Sequence, residues 1–327
     1  MAFCRTFHPN NVSVRDLPRP QWTQHRNTNA TTPTIPTLTS LAVLTMASTT
    51  SGTIVLYDIA HKPPVEESCC SPNPWKSRFA LNFKGVPYSM KWVGLPDISR
   101  VRRGLELPAG RKLADGSDFY TLPILEDPAT GVKLGDSFDI AVWLQKTHPD
   151  SGAGDLFPEQ TLDFTFVPLF DFPAPLSEQS DGGFPEYLRF NTNVDTAFSS
   201  HVPLMVENMP LDPATAEQSK AEFVRRSGLK SWDDFMLSPE ARTGILASFK
   251  NMLGDLAKLF TKNADGPFLL GQQVSYADFI VGAWLRMSMI TLPKSEWEDV
   301  KSWHDGVFGK LHDALDKYAE VKPGVKV

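Results

Sequence analysis

The sequence contains only three cysteines among its 327 residues, and it has no long apolar or basic run. Cys69 and Cys70 are adjacent and Cys4 lies far from them, so the cysteines form neither a disulfide framework nor the spaced pairs of a zinc site. We therefore expect reduced thiols in a cytoplasmic protein that binds no metal. No stretch approaches the roughly 20 apolar residues that cross a bilayer, so we expect no membrane segment.

Positive charge is also scarce. Lys and Arg number 32 against 38 Asp and Glu, and the formal net charge is −6. No Lys/Arg run exceeds a pair, so we expect no partner among nucleic acids or anionic lipids. Hydrophobic residues make up 41% and charged residues 21%, which is typical of a globular protein, and the length predicts about two domains.

Residues 1–50 lack Lys and Glu, and Asp16 is their single acid. Thr, Asn and Pro dominate, and repeated prolines interrupt any regular element. We expect a disordered arm here. Two alternatives stay open: the Arg-rich, Thr-rich composition resembles a mitochondrial transit peptide, or the protein starts at Met46.

Residues 51–150 alternate between strand and helix patterns. Short β-branched runs indicate strands, and Trp75, Phe79 and Phe83 repeat at helical spacing. The predicted strands cover Thr53–Asp58, Tyr88–Val93, Thr121–Glu126 and Val132–Leu134, and the predicted helices cover Trp75–Lys84 and Ser137–Thr147. Asn73 is the expected N-cap of the first helix, ahead of Pro74. This order predicts a small α/β domain with a mixed four-stranded sheet.

Residues 151–327 contain helical patterns alone. An apolar stripe from Ile245 to Phe260 predicts one long helix. Phe279–Ile290 is apolar nearly all round and predicts a buried central helix. Glu296–Tyr318 predicts a further helix. We therefore expect an all-α second domain.

Two segments of the first domain are candidates for ligand binding. In Thr121–Leu125 (TLPIL), Pro123 fits a strand start if its peptide bond is cis, which leaves the backbone before it for a ligand; the alternative is an edge-strand proline. In Gly135–Ser137, Asp136 either caps the next helix or also binds a charged ligand at the helix start.

A third motif, Gly271 with Ser275 and Asp278, is a capping-box-like start of the central helix. In this order and spacing, the three motifs resemble the cytosolic glutathione transferase superfamily. The segments YDIA, SPNPWKSRFALNFKGVPY, DGSDFYTLPIL and GDSFDIAVWLQKT, which start at Tyr57, Ser71, Asp115 and Gly135, resemble the fungal etherase-related, or FuA, class. The resemblance implies a thioredoxin-like glutathione-binding domain over residues 51–150 and an all-helical transferase domain over residues 151–327.

The resemblance also implies that a Tyr, Ser or Cys near the start of the first helix activates the glutathione thiol. Ser71, directly ahead of Pro72, is the expected catalytic residue. Cys70 is the alternative and would shift the chemistry to thiol–disulfide exchange by a glutathione thiol oxidoreductase. Tyr57 is expected to be a core residue.

Glutathione itself would be held by residues of both candidate segments. Leu122 and Pro123 would bind its cysteinyl unit, and Asp136 and Ser137 its γ-glutamyl end. The glycine carboxylate needs a cation, and four residues remain eligible: Arg102, Arg103, Arg111 and Lys112.

The implied activity is conjugation of hydrophobic aromatic electrophiles to glutathione, or glutathione-dependent cleavage of aryl ethers. The alternative is a ligandin that holds aromatic compounds with little turnover. The electrophile pocket is expected between the two domains. Phe164, Phe166, Phe170 and Phe172 form an aromatic run that is either ordinary core or a wall of this pocket. The histidines lack metal-ligand spacing, so we expect them to be structural or exposed. The resemblance further implies a homodimer.

Overall fold

A computed structural model of the chain describes residues 52–113, 115–168, 171–172, 174, 182–263 and 265–327. These residues belong to one compact unit that spans residues 49–327. The predicted arm over residues 1–50 and Phe170 lie outside the described residues.

A five-stranded mixed sheet organises the first half of the chain. The strands are β1 (Ile54–Ala60), β2 (Tyr88–Gly94), β3 (Arg111–Lys112), β4 (Asp118–Phe119), β5 (Ile124–Asp127), β6 (Val132–Leu134) and β7 (Gly324–Lys326). The sheet order is β6-β5-β1-β2-β7, while β3 and β4 form a separate pair. β2 is parallel to β1 and β7, and β5 is antiparallel to β1 and β6. The four predicted strands are confirmed, and β7 is a fifth strand that no sequence pattern indicated.

Helices surround this sheet and form the second half. They are α1 (Val65–Ser68), α2 (Pro72–Lys84), α3 (Ile98–Gly104), α4 (Ser137–Thr147), α5 (Pro185–Ser199), α6 (Pro203–Val206), α7 (Ala216–Ser227), α8 (Pro239–Phe260), α9 (Tyr276–Thr291) and α10 (Lys294–Leu315). A thioredoxin-like α/β part followed by an all-helical part confirms the predicted fold class.

The two faces of the sheet pack against different helices. Leu56 and Leu125 point into the core shared with α2, α4 and α9. Their neighbours Tyr57 and Ile124 point to the opposite face and pack with Ile98 of α3. This alternation is the period of two that an extended strand imposes.

Helix α9 is the buried centre of the second half, as predicted. Ser275 and Asp278 form both hydrogen bonds of a capping box at its start. Burial raises the pKa of Asp278 to about 6. Phe279 stacks on Phe79 of α2 with ring centroids 5.4 Å apart, so α9 connects the sheet layer to the helical half.

Two helix predictions need correction. Ser71, not Asn73, is the N-cap of α2, because Pro72 already has its place in the first turn. The helix predicted over Glu296–Tyr318 is interrupted, since residues 303–306 of α10 have non-helical backbone angles. His304 Nε2 is bonded at 2.8 Å to the Lys250 carbonyl of α8, so packing against the neighbouring helix fixes the interruption.

Candidate functional site

Ser71 lies at the start of α2, where two cavities of about 190 and 280 Å³ meet, and it lines both. A serine at this position usually bonds a backbone amide of the helix it precedes. Here the Ser71 side chain makes no capping bond, and its Oγ lies 3.3 Å from Nε2 of His61. The hydroxyl is therefore available to a ligand at the positive end of a 13-residue helix.

His61 and Cys70 form the wall behind Ser71. Nε2 of His61 lies 3.6 Å from Cys70 Sγ, and both side chains are buried. Burial lowers the pKa of His61 to about 4 although a bond to the Pro210 backbone opposes the shift, so the imidazole is neutral near pH 7. Burial also raises the pKa of the Cys70 thiol well above its usual value. His61 was expected to be structural, and no sequence motif indicated its contact with Ser71.

The Leu122–Pro123 peptide bond is cis, as expected, and β5 begins at Ile124. The ladder to β1 pairs Tyr57 with Ile124 and does not include Leu122. Leu122 and Thr121 line the larger cavity beside Ser71. The structure therefore brings the first candidate segment to Ser71.

Asp136 is the N-cap of α4. Its Oδ1 accepts bonds from the amides of Phe138, at 2.7 Å, and Asp139, at 3.4 Å. Burial and the nearby Asp139 raise the pKa of Asp136, while the Phe138 amide and the cations Arg111 and Lys76 act in the opposite direction. Because Arg111 also lines the larger cavity, this carboxylate belongs to the same charged region as that cavity.

Ser137, the first residue of α4, is buried, and its carbonyl accepts a bond of 3.0 Å from Tyr276 of α9. The second candidate segment therefore has the capping role that its sequence indicates, and it is anchored to the central helix. Neither Asp136 nor Ser137 is among the residues that line the two cavities.

Arg102 connects the two candidate segments. Its buried guanidinium donates from Nη1 to the carbonyls of Thr121, at 2.9 Å, and Gly135, at 3.0 Å. It also donates to the Pro108 carbonyl at 2.8 Å. A Cβ on Gly135 would lie 2.3 Å from this guanidinium, so a larger residue there would displace Arg102 from these carbonyls. The bonds of Arg102 in this structure make it a structural link between the two segments.

Among the other eligible cations, Arg111 is the one that lines a cavity beside Ser71. Arg103 donates to the Tyr120 hydroxyl at 3.1 Å, and Lys112 pairs with Asp118 at 2.5 Å. Neither of these two side chains lines the cavities.

Arg226 of α7 is a second cavity-lining cation, and it lines both cavities. It pairs with Glu222 at 2.8 Å, and its guanidinium carbon lies 4.9 Å from the Phe119 ring centroid. Arg111 lies over the same ring at 5.3 Å. Two adjacent arginines on a helix are typical of a solvent-exposed helix face. The sequence therefore did not indicate that Arg226 lines a cavity.

Among the described residues, Phe164, Phe166 and Phe172 of the predicted aromatic run do not line the two cavities. Phe164 is buried, and its ring centroid lies 6.3 Å from that of Phe190, so this residue belongs to the hydrophobic core. The aromatic residues that do line the cavities are Phe119, Phe223 and Trp284.

Tyr57 is buried, as expected, and lines neither cavity. Its hydroxyl donates to Glu126 at 2.8 Å, and burial raises its pKa. These contacts make it a structural tyrosine of the sheet.

A buried charge network underlies the larger cavity. Nζ of Lys76, which is fully buried, donates to Asn73 at 2.9 Å, Asn191 at 2.8 Å and Asp195 at 2.5 Å. Trp284 of α9 donates to the same Asp195 oxygen at 2.7 Å. Burial lowers the pKa of Lys76, and Asp195 opposes that shift. The network ties the start of α2 to α5 and α9, which fixes Ser71 relative to the helical half.

Within the described residues, no group of three or more His, Cys, Asp or Glu side chains could hold a metal ion. No helix in that part of the chain combines the length and apolar character needed to cross a bilayer.

Comparison with known proteins matches both halves of the chain. Residues 70–147 match the family model for the glutathione S-transferase N-terminal domain, and residues 190–318 match that for the C-terminal domain. The glutathione S-transferase-like protein ustS of Aspergillus flavus is 24% identical over 289 residues, which cover 84% of this chain and 94% of ustS.

Two solved structures share the fold. Glutathione S-transferase CsGST63524 of Ceriporiopsis subvermispora, in complex with glutathione, is 29% identical with a TM-score of 0.65, over 83% of this chain and 99% of that one. Glutathione transferase GSTFuA3 of Phanerochaete chrysosporium is 24% identical with a TM-score of 0.66, over the same shares of both chains. With both domain models matched in order, the chain belongs to the glutathione S-transferase family.

Proposed function

We propose that this chain is a serine-type glutathione transferase in which the Ser71 hydroxyl stabilises the glutathione thiolate. The observation that carries the proposal is the position of this hydroxyl: it makes no capping bond and lies between two cavities at the start of α2. A thiol with a pKa near 8.5 is only about 3% ionised at pH 7. Lowering that pKa by about two units requires about 2.7 kcal/mol. A charge-assisted hydrogen bond and the helix N-terminus are groups of the right kind to supply it.

The larger cavity is the proposed glutathione site. The Leu122 backbone would bind the cysteinyl unit and Arg111 a carboxylate of the tripeptide. Asp136 and Ser137 do not line this cavity, so they would bind the γ-glutamyl end where it extends past the cavity to the start of α4. A glutathione complex of CsGST63524, which shares this fold, supports the assignment. Arg102 would act indirectly, because it holds the two backbone segments together.

The smaller cavity is the proposed electrophile site. Its lining is mostly apolar and includes Met209, Phe223, Trp284 and Met287. The thiolate would attack an electrophilic carbon of an aromatic substrate, forming a C–S bond, while the leaving group departs with the bonding pair. For an aryl ether the leaving group is a phenolate, which takes up a proton from water.

Cys70 is less suited than Ser71 to act on glutathione. The thiolate is the reactive form in thiol–disulfide exchange, and burial raises the pKa of Cys70. The mostly apolar cavity also fits a ligandin, which would bind the same aromatic compounds without turnover. We further propose that the active form is a homodimer.

The test is the pair of variants Ser71→Ala and Cys70→Ser, assayed with glutathione and a chromogenic aromatic electrophile. Loss of one charge-assisted hydrogen bond costs roughly 1.5–3 kcal/mol, so Ser71→Ala should lower kcat/KM about 10- to 150-fold. Its pH–rate profile should move to higher pH, because the bound thiol ionises less readily. The glutathione KM should change far less, since the backbone and Asp136 contacts remain.

Ser68→Ala is the control, because Ser68 ends α1, three residues ahead of Ser71, and lines neither cavity. It should retain wild-type kinetics, and Cys70→Ser should remain nearly as active as the wild type. Loss of activity in Cys70→Ser with a silent Ser71→Ala would establish the oxidoreductase instead. Dye displacement without measurable turnover in the wild type would establish the ligandin.

A further inference from the structure

The fifth strand, β7, brings residues 324–327 to the edge of the sheet beside β2. Met90 pairs with Gly324 and Trp92 with Lys326, and the Val327 amide donates to the Trp92 carbonyl at 2.9 Å. A Cβ on Gly324 would lie 2.6 Å from Met90 Cβ. This close approach requires glycine and fixes the register of the strand.

Lys326 extends from β7 to the loop that precedes α7. Its Nζ bonds Oδ2 of Asp212, a residue that is only 6% exposed. The other carboxylate oxygen accepts the Ala214 amide at 2.9 Å, and the Asp212 carbonyl accepts the Thr215 amide at 3.0 Å. These contacts lower the pKa of Asp212, with Lys326 as the largest cause. The carboxylate therefore joins β7 to the turn that begins α7.

This same loop is a wall of the smaller cavity beside Ser71. Met209, Leu211 and Asp212 line it, and α7 adds Phe223 and Arg226. On its other side the loop is held by the end of β1, because the Lys62 amide donates to the Pro210 carbonyl at 2.8 Å. The wall is thus tethered at two points, one near Ser71 and one at β7.

We propose that Lys326 and Asp212 are positioning residues for the electrophile site: β7, through their ion pair, sets the position of residues 209–212 and hence the affinity for the electrophile. The proposal rests on the proposed function in assigning the smaller cavity to the electrophile. Met209, Leu211 and Asp212 line the smaller cavity and not the larger one, so glutathione binding should depend little on the pair.

The decisive variants are Lys326→Met, which keeps the length of the side chain, and Lys326→Arg, which restores the charge. Part-exposed ion pairs have modest energies, so Lys326→Met should raise the electrophile KM about two- to fivefold. The glutathione KM and kcat should stay within the error of the wild type, and Lys326→Arg should recover most of the change. Asp212→Asn should behave like Lys326→Met, and the double variant should be no worse than either single one.

Lys322→Met is the matched control, because Lys322 lies on the same segment and pairs with Glu320 at 2.5 Å but lines neither cavity beside Ser71. A second readout needs no activity: amide hydrogen exchange across residues 209–215 of the unliganded protein should accelerate in Lys326→Met and not in Lys322→Met. If exchange and the electrophile KM respond alike in both variants, the positioning role is wrong, whatever Ser71→Ala shows. If exchange accelerates selectively but the electrophile KM does not move, the wall does not set affinity and the proposal is equally overturned.

Discussion

At the scale of single residues, the immediate neighbour of Ser71 is a buried histidine. His61 has a pKa lowered to about 4 from an ordinary value of 6.5, because burial disfavours its charged form. Its neutral imidazole accepts or donates one bond at Nε2, where Ser71 Oγ and Cys70 Sγ both lie. Protonation of His61 would therefore alter the contacts of the hydroxyl on which the proposed function depends.

The lowered pKa predicts a loss of stability in acid. Between pH 6.5 and 4 the unfolded chain binds a proton at His61 that the folded chain does not, so stability falls as the pH falls through this window. At pH 5 the loss from this residue is roughly 2 kcal/mol. Urea unfolding at pH 7 and pH 5 should show a smaller loss in His61→Gln than in the wild type. His148→Gln, at a half-buried histidine outside both cavities, should unfold like the wild type. If His61→Gln lost as much stability as the wild type between pH 7 and pH 5, His61 would not be the cause of the loss.

In the proposed glutathione site, Arg102 would couple stability to glutathione binding. Arg102→Met leaves the part-buried carbonyls of Thr121 and Gly135 without their guanidinium partner, at a cost of about 1 kcal/mol each. The backbone around Leu122 and Asp136 should shift, so we expect the glutathione KM to rise roughly tenfold, equivalent to about 1.4 kcal/mol. The adjacent, exposed Arg103 supplies the control variant Arg103→Met. Equal glutathione KM values in the two variants would remove this role from Arg102.

At the scale of elements, the sequence predicted correctly those helices whose ends are set by capping residues and whose faces show an apolar stripe. Helix α4 begins at Ser137 and ends at Thr147 as its cap and apolar stripe indicated, and α9 follows its capping box. Strand β7 could not be predicted from the sequence. Gly324–Lys326 is too short to show an alternation of apolar and polar residues, and its pairing partner, β2, lies far away in the sequence.

The candidate site divides in the same way. Leu122 and Asp136 belong to segments with their own turn or cap chemistry, which a sequence displays, whereas Ser71 was indicated by the family resemblance. Arg226 and Trp284 line the cavities only because α9 packs against α2 and α7 packs against residues 95–97 after β2. Contacts of that kind depend on long-range packing, which spacing along the chain does not encode.

The two capping boxes of the helical half provide a test at this scale. Ser275 begins the buried helix α9, whereas Ser231 begins a short exposed 3₁₀ turn over Trp232–Phe235. Ser275→Ala removes bonds to Asp278 and Gln160 from a buried site, so it should lower the free energy of unfolding by about 1–2 kcal/mol. Ser231→Ala should lower the free energy of unfolding by no more than a few tenths of a kcal/mol. Chemical denaturation of both variants would measure the difference. Similar losses of stability would show that burial does not increase the stabilising effect of the capping bonds.

At the scale of the whole molecule, the composition changes sharply near Met46, and all residues of the proposed site follow that point. Removing residues 1–45 should therefore leave the melting temperature and glutathione affinity unchanged. Thermal unfolding and calorimetric titration of the shortened chain against the full chain would test this. A melting temperature lower by several degrees would assign residues 1–45 a part in the fold.

The link from Lys326 to Asp212 also has an evolutionary consequence. The residues that would bind glutathione and activate its thiol lie within residues 71–137, and most substitutions there would damage the shared first step of any transfer reaction. Residues 320–327 contain none of these proposed glutathione-binding residues. Through Lys326, however, they contact Asp212 in the wall of the smaller cavity. Gene copies of such a protein can thus diverge in their choice of electrophile through changes in this short segment, while selection keeps the thiol chemistry constant.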